Sequence, residues 1–221
     1  MDAFITLLKK KKTKQVFNPW FEIDTINDID KTSSEKRLYN LQAYLEERRN
    51  AKYLLLAEAL GYQGGHFTGI PMTSERIVLG HKINQGILPD HICHSQLHRT
   101  SNNKKHKHGF NEPTATIVWQ KLIDENLDTR NFVLWNAFPW HPYKGSKGML
   151  SNRTPGRSEI KEGAPVLKAL LQAFNFNKII ALGNKADSIL TMIGISAVKV
   201  RHPAMGGAEL FREQFLQVIQ S

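Results

Sequence analysis

The chain has 221 residues, 41% of them apolar, the size of one folded domain whose core needs no disulfide or metal staple. A single cysteine, Cys93, excludes an internal disulfide and a four-thiolate metal or iron-sulfur site. Thirty Lys and Arg against twenty Asp and Glu give a formal charge of +10, which favours polyanionic partners through phosphate neutralisation, although one basic tail supplies much of the excess.

Residues 1–8 are too short an apolar stretch for a secretory signal, and the lysines at 9–12 and Lys14 follow it instead of preceding it. No run of about 18 apolar residues occurs, so the chain reads as an intracellular protein without a membrane span. Residues 1–30 lack a persistent helical period and read as an N-terminal arm, tied down by Phe17, Trp20 and Phe21. Thr32 followed by Glu35 is a capping-box pattern that opens a helix carrying Leu38, Leu41 and Leu45 and ending near Asn50. The apolar run 53–57 then fits a strand covered on both faces of a parallel sheet.

Pro113 suits the first turn of a helix in which Ala115, Val118, Trp119, Leu122 and Ile123 share a face. Residues 132–135 predict a second strand, with Trp135 in the sheet core. Ser158 opens a helix bearing Val166, Leu167, Leu170, Leu171 and Phe174, and strands follow at 178–182 and 197–200 around a short helix at 186–190. A last helix carries Leu210, Phe211, Phe215, Val218 and Ile219. The expected fold is α/β, a three-layer helix-sheet-helix sandwich with a central, mainly parallel, roughly four-stranded sheet. Segments 81–111 and 141–156 interrupt the rhythm as long functional loops, and no domain boundary is placed within 1–221.

Ligands of parallel sheets gather at the carboxyl ends of the strands, where loops and helix N-termini converge. Three unusual segments begin at such ends: the stretch from Ala57 to Glu75, Asn136-Ala137-Phe138-Pro139-Trp140-His141-Pro142, and Arg201-His202-Pro203-Ala204-Met205-Gly206-Gly207. In order and context they resemble the first active-site loop, the base-recognition asparagine and the histidine-proline loop of the uracil-DNA glycosylase superfamily. The resemblance runs from Tyr53 to the final helix. It implies hydrolysis of the N-glycosidic bond of uracil or a related deaminated base that has been flipped out of DNA. It implies DNA with a damaged base as partner, no cofactor and no obligate protein partner.

Under the resemblance His202 is the donor to the departing base, whereas a loop histidine before Pro203 is the structural alternative. Asn136 is the base reader, since an amide donates and accepts at once, and the alternative is a cap or turn. Ala57-Glu58-Ala59-Leu60-Gly61 resembles the family's Gly-Glu-Ala-Pro-Gly loop, but Ala59 can neither accept a proton nor orient water, and Leu60 replaces a stiffening proline. Glu58 is then either a compensating catalytic group or a solvent-facing anchor, in which case catalysis depends on stabilising the leaving base and on a water held by backbone groups. Met72 stands near the position of the family's stacking aromatic; Phe67 supplies the missing ring or belongs to the core. Gly61 and Tyr62 complete the base-binding loop. Met205 is a wedge candidate, and Arg201, Lys144, Lys147, Arg153 and Arg157 are phosphate contacts or a solvated rim.

The glycine-rich first loop is not a Walker A motif, because no Gly-Lys-Ser or Gly-Lys-Thr ends it. Cys93 with His91, His94, His98, His106 and His108 matches no standard zinc spacing, and no metal is assigned. A degenerate protein that binds nucleic acid without cleaving it, motivated by Ala59 and Met72, and a glycosylase for another damaged base are the alternatives.

Overall fold

The computed structural model describes residues 1–10 and 14–221, so Lys11 and Lys12 of the basic run lie outside the described residues. The elements run α1 (Asp2–Lys9), β1 (Val16–Phe17), α2 (Ser33–Glu46), β2 (Tyr53–Ala59), the short helices α3 (Gly65–Thr68), α4 (Glu75–Val78) and α5 (Pro89–Ile92), and α6 (Pro113–Asp124). They continue with β3 (Phe132–Phe138), β4 (His141–Pro142), α7 (Arg157–Ala173), β5 (Lys178–Leu182), α8 (Gly183–Met192), β6 (Val198–Val200) and α9 (Ala208–Gln220).

The main sheet has the order β3-β2-β5-β6, with every neighbouring pair parallel. Leu54, Leu55 and Leu56 are all fully buried although successive side chains on a strand point to opposite faces, so both faces of the sheet are covered. This is the α/β architecture of helices flanking a four-stranded parallel sheet. The outer edge of β3 is closed by α2 and the turn after it: the Leu134 N–H donates to the Tyr44 hydroxyl at 2.8 Å, and Arg48 Nε donates to the Phe132 carbonyl at 2.9 Å. Both groups would otherwise be unpaired at an edge strand. After β3 is laid on one side of β2, the chain returns to place β5 on the other, so the connections diverge at β2 and open a crevice at the strand ends.

The strands reach further than their apolar runs. Pairing continues through Ala57 beside Asn136 and Ala59 beside Phe138, which puts Glu58 and Asn136 inside strands instead of in the loops after them. The capping box at Thr32 does not form: its hydroxyl donates to Asp30 Oδ1 at 2.7 Å, the Thr32 side chain makes no cap bond, and α2 ends at Glu46, short of Asn50.

The N-terminal segment also departs from expectation, because residues 2–9 are helical. Phe4 and Leu8, four apart on one face of α1, are buried, and the Phe4 ring meets Trp135 edge-on at 5.3 Å. Phe17 and Trp20 are buried, whereas Phe21 is half exposed. The Leu8 carbonyl, near the α1 C-terminus, accepts from Asn18 Nδ2 at 2.8 Å and Trp140 Nε1 at 2.9 Å. β1 pairs antiparallel with β4, joining this segment to the loop after β3. Among the described residues no helix is long and apolar enough to cross a membrane.

Candidate active site

A cavity of about 220 Å³ opens at the carboxyl ends of β2 and β3. Asn136 forms part of its wall from within β3, 1% exposed, and its buried Oδ1 has no hydrogen-bond partner. A buried amide left without a partner costs about 1–3 kcal/mol. An orphan of this kind facing a cavity is a group held ready for a ligand.

His202 reaches the same cavity from the segment after β6. Its Nδ1 accepts from the Ala204 N–H at 3.1 Å, so a neutral ring carries its proton on Nε2, where it can be donated. Burial pushes its pKa below the usual histidine value, the neighbouring Arg201 and Lys185 push the same way, and Glu58 opposes them. Two glycines let His202 sit here. A Cβ on Gly183, at φ +83°, would lie 2.7 Å from His202 Cβ, and one on Gly207 would lie 2.2 Å from the His202 carbonyl oxygen. At the tip of this loop Met205 is 97% exposed in the left-handed region, at φ +53°. Backbone held there outside glycine is strained by roughly 1 kcal/mol, and an apolar side chain in water gains nothing in exchange.

The first loop brings Glu58, Ala59, Gly61 and Met72 to the cavity. Glu58 Oε2 lies 3.3 Å from Lys185 Nζ, and Oε1 is buried without a hydrogen bond. Met72 is a second methionine at positive φ, +49°, with its carbonyl held by Trp119 Nε1 at 3.2 Å. Two residues that the sequence reading leaves out complete the wall. Asn152 Oδ1 accepts from the Tyr62 N–H at 3.1 Å and ties the loop after β3 to the first loop. Glu112, the residue before Pro113, stands at the N-cap of α6 but makes no side-chain cap bond there. Its Oε2 is buried and unpartnered, and burial raises its pKa to about 7. A Cβ on Gly64 would sit 1.9 Å from that oxygen, so the glycine makes room for the carboxyl group.

Other candidates lie elsewhere. Phe67 is fully buried and stacked on Phe110 at 4.3 Å; it belongs to the core and supplies no ring to the cavity. Tyr62 offers its backbone to Asn152, and its ring meets the Phe110 ring edge-on at 6.1 Å. Arg153 borders the cavity, but its guanidinium is spent on Glu159, with both contacts at 2.7 Å, and on the carbonyls of Tyr143 and Gln15. Arg153, expected as a phosphate contact, thus also serves as an internal strut, and the Glu159 pairing raises its pKa. Lys144 and Arg201 remain exposed. Cys93 is bonded to Glu47 Oε1 at 3.1 Å, and burial, helped by that carboxylate, pushes the thiol up to about 11, against thiolate chemistry.

This geometry can be set beside known proteins. The chain is similar in structure to wild-type SMUG2 of Pedobacter heparinus, with a TM-score of 0.62 and 13% identity over 99% of this chain and 96% of that one. No curated protein sequence matches. The family model described as "Uracil DNA glycosylase superfamily" matches residues 46–219, which span β2 to α9 and every wall of the cavity. The chain belongs to the uracil DNA glycosylase superfamily.

Proposed function

We propose that the protein is a monofunctional DNA glycosylase that hydrolyses the N-glycosidic bond of uracil, or of a related deaminated base, after that base has been flipped out of DNA. One observation carries the reading: an unpartnered amide oxygen and a histidine with a free Nε2 share one small cavity at the strand ends.

Asn136 has an amide oxygen to accept from a base N–H and an amide nitrogen to donate to the adjacent carbonyl, the pattern of uracil and the reverse of cytosine. As the glycosidic bond stretches, the sugar becomes cationic and the base leaves as an anion. The Nε2–H of His202 stabilises that developing charge more than it stabilises bound substrate, which is what lowers a barrier. A neutral imidazole suits the role, and burial with Arg201 nearby favours the neutral form. Met72 packs against the base as a polarizable surface. Met205 projects where it can fill the gap that the flipped nucleotide leaves, as apolar wedges do. Lys144 and Arg201 supply phosphate contacts, consistent with the +10 charge.

The test is single-turnover base release from single- and double-stranded oligonucleotides carrying uracil, hypoxanthine or xanthine, read by alkaline cleavage of the abasic product, with binding measured in parallel. Release of uracil supports the reading, and release of only another base moves the substrate assignment. Binding without any release leaves a non-catalytic nucleic-acid-binding protein.

A further inference from the structure

Hydrolysis needs a group to take a proton from water, and Ala59 in the first loop has none to offer. The cavity contains two carboxyl groups, on Glu58 and Glu112. Glu58 gives one oxygen to Lys185 at 3.3 Å. Glu112 gives nothing to the protein: it makes no cap bond to its own helix, no ion pair among the described residues, and its inner oxygen has no donor. The molecule nevertheless holds it in place. Pro113 fixes the start of α6, and the absence of a side chain at Gly64 leaves the space that Glu112 Oε2 occupies.

We infer that Glu112 is the general base of the reaction, a role carried by the residue preceding α6 instead of by the first loop. The inference rests on the glycosylase reading above. The water oxygen forms a bond to the sugar C1′ as the C1′–N bond breaks. The bonding pair leaves with the base, whose oxygen takes the hydrogen bond from His202. One water proton passes to the Glu112 carboxylate and is later returned through solvent to the freed base.

The charged and titratable groups that share the cavity are Glu58 on β2, Arg153 on the loop after β4, and His202 after β6. Arg153 is neutralised by Glu159, and none of the three is paired with Glu112. Burial alone therefore sets its proton affinity, raised to about 7, close to the value at which a general base works best near neutral pH.

The experiment is single-turnover cleavage of uracil-containing DNA between pH 5.5 and 8.5 by wild type, Glu112→Gln, Glu112→Ala and His202→Ala. Wild type should lose rate as pH falls through about 7. Glu112→Gln should be slower by roughly 10²–10⁴ at pH 8 with DNA affinity unchanged, and formate should restore part of the rate to Glu112→Ala. His202→Ala should be slow but keep the acid limb. Independently of activity, the melting temperature of wild type should fall as pH rises through about 7, and that of Glu112→Gln should not. Wild-type rates in Glu112→Gln, or a rate that rises as pH falls, would overturn the general-base role while leaving the glycosylase reading intact. Failure of wild type to release any base would overturn both.

Discussion

The Nδ1 atoms of His66 and His141 lie 2.9 Å apart in the interior, beneath the loop that carries Asn152. His141 Nε2 faces the Ser151 carbonyl at 2.9 Å, an acceptor only, so that nitrogen carries the proton and Nδ1 is left to accept from His66. On its far side His66 turns Nε2 toward Asp24 Oδ2 at 3.2 Å. Donating from Nδ1 while facing a carboxylate with Nε2 requires His66 to be an imidazolium, against the burial that lowers its pKa. Burial also opposes the charge on Asp24, but its pairing with His66, together with the hydrogen bond from Asn27, outweighs that burial and holds the acid at about 2. The N-terminal segment, the first loop and the second loop thus meet in one buried line.

His141→Leu leaves the Ser151 carbonyl and His66 Nδ1 unsatisfied and should cost about 2–4 kcal/mol, measured by urea unfolding. Burial, and then the charge of His66, push the pKa of His141 down to about 3. Because the unfolded chain binds this proton more readily, stability should fall as pH drops from about 6.5 toward 3, and His141→Leu should flatten that slope.

His202→Ala is expected to lower base release by roughly 10²–10³ while DNA affinity holds, because the lost bond strengthens only with leaving-group charge. Gly183→Ala should act through the same residue. Its Cβ would lie 2.7 Å from His202 Cβ in backbone at φ +83°, so catalysis should fall without any change to a group that touches the base. Single-turnover rates at saturating protein check both.

Asn136→Leu should separate function from stability. Removing an amide whose buried oxygen has no partner should leave the melting temperature unchanged or raise it, by up to about 2 kcal/mol in stability, while abolishing uracil release. Asn136→Asp should depress uracil release strongly, since its carboxylate repels the base carbonyl, and base release from uracil- and cytosine-containing DNA measures the switch. Equal uracil release by either variant and wild type would remove Asn136 from base recognition.

Salt titrations of DNA binding should separate the cations. Replacing Lys144 or Arg201 by alanine should weaken affinity for uracil-containing and undamaged DNA alike and reduce the salt slope by about 1 each. Arg153→Met should leave the salt slope alone and lower stability instead, because it leaves Glu159 partly buried without the cation that holds it.

The parallel sheet is legible because strands buried on both faces leave continuous apolar runs, as at Leu54 to Leu56, with amphipathic helices between them. Asn136 is legible as a candidate because it directly follows such a run at 132–135, and His202 because it lies two residues past the strand segment ending at Val200 and directly before Pro203. The strand ends are not, since cavity-facing Glu58 and Asn136 are polar and end the apolar pattern while backbone pairing continues. Glu112 is hidden because a residue before a helical proline reads as a cap, and only coordinates show its side chain turned away from that duty. Arg153 reads as a free cation until the turn of α7 brings Glu159 against it. Phe67 and Phe110 are far apart in sequence, so their stacking in the core carries no local signal.

The bond from Trp140 to the Leu8 carbonyl joins residues 132 apart in sequence. Closing a loop of that length is entropically slow work, and contacts of such separation form late in folding. Phe4 and Trp20 both pack on Trp135, so a growing chain carries these rings without that partner for more than half of its synthesis. A chain that started at residue 46, where the family match starts, would keep Asn136, His202 and the His66–His141 contact but lose Asp24 and the strand that clamps His141, leaving the second loop held on one side only.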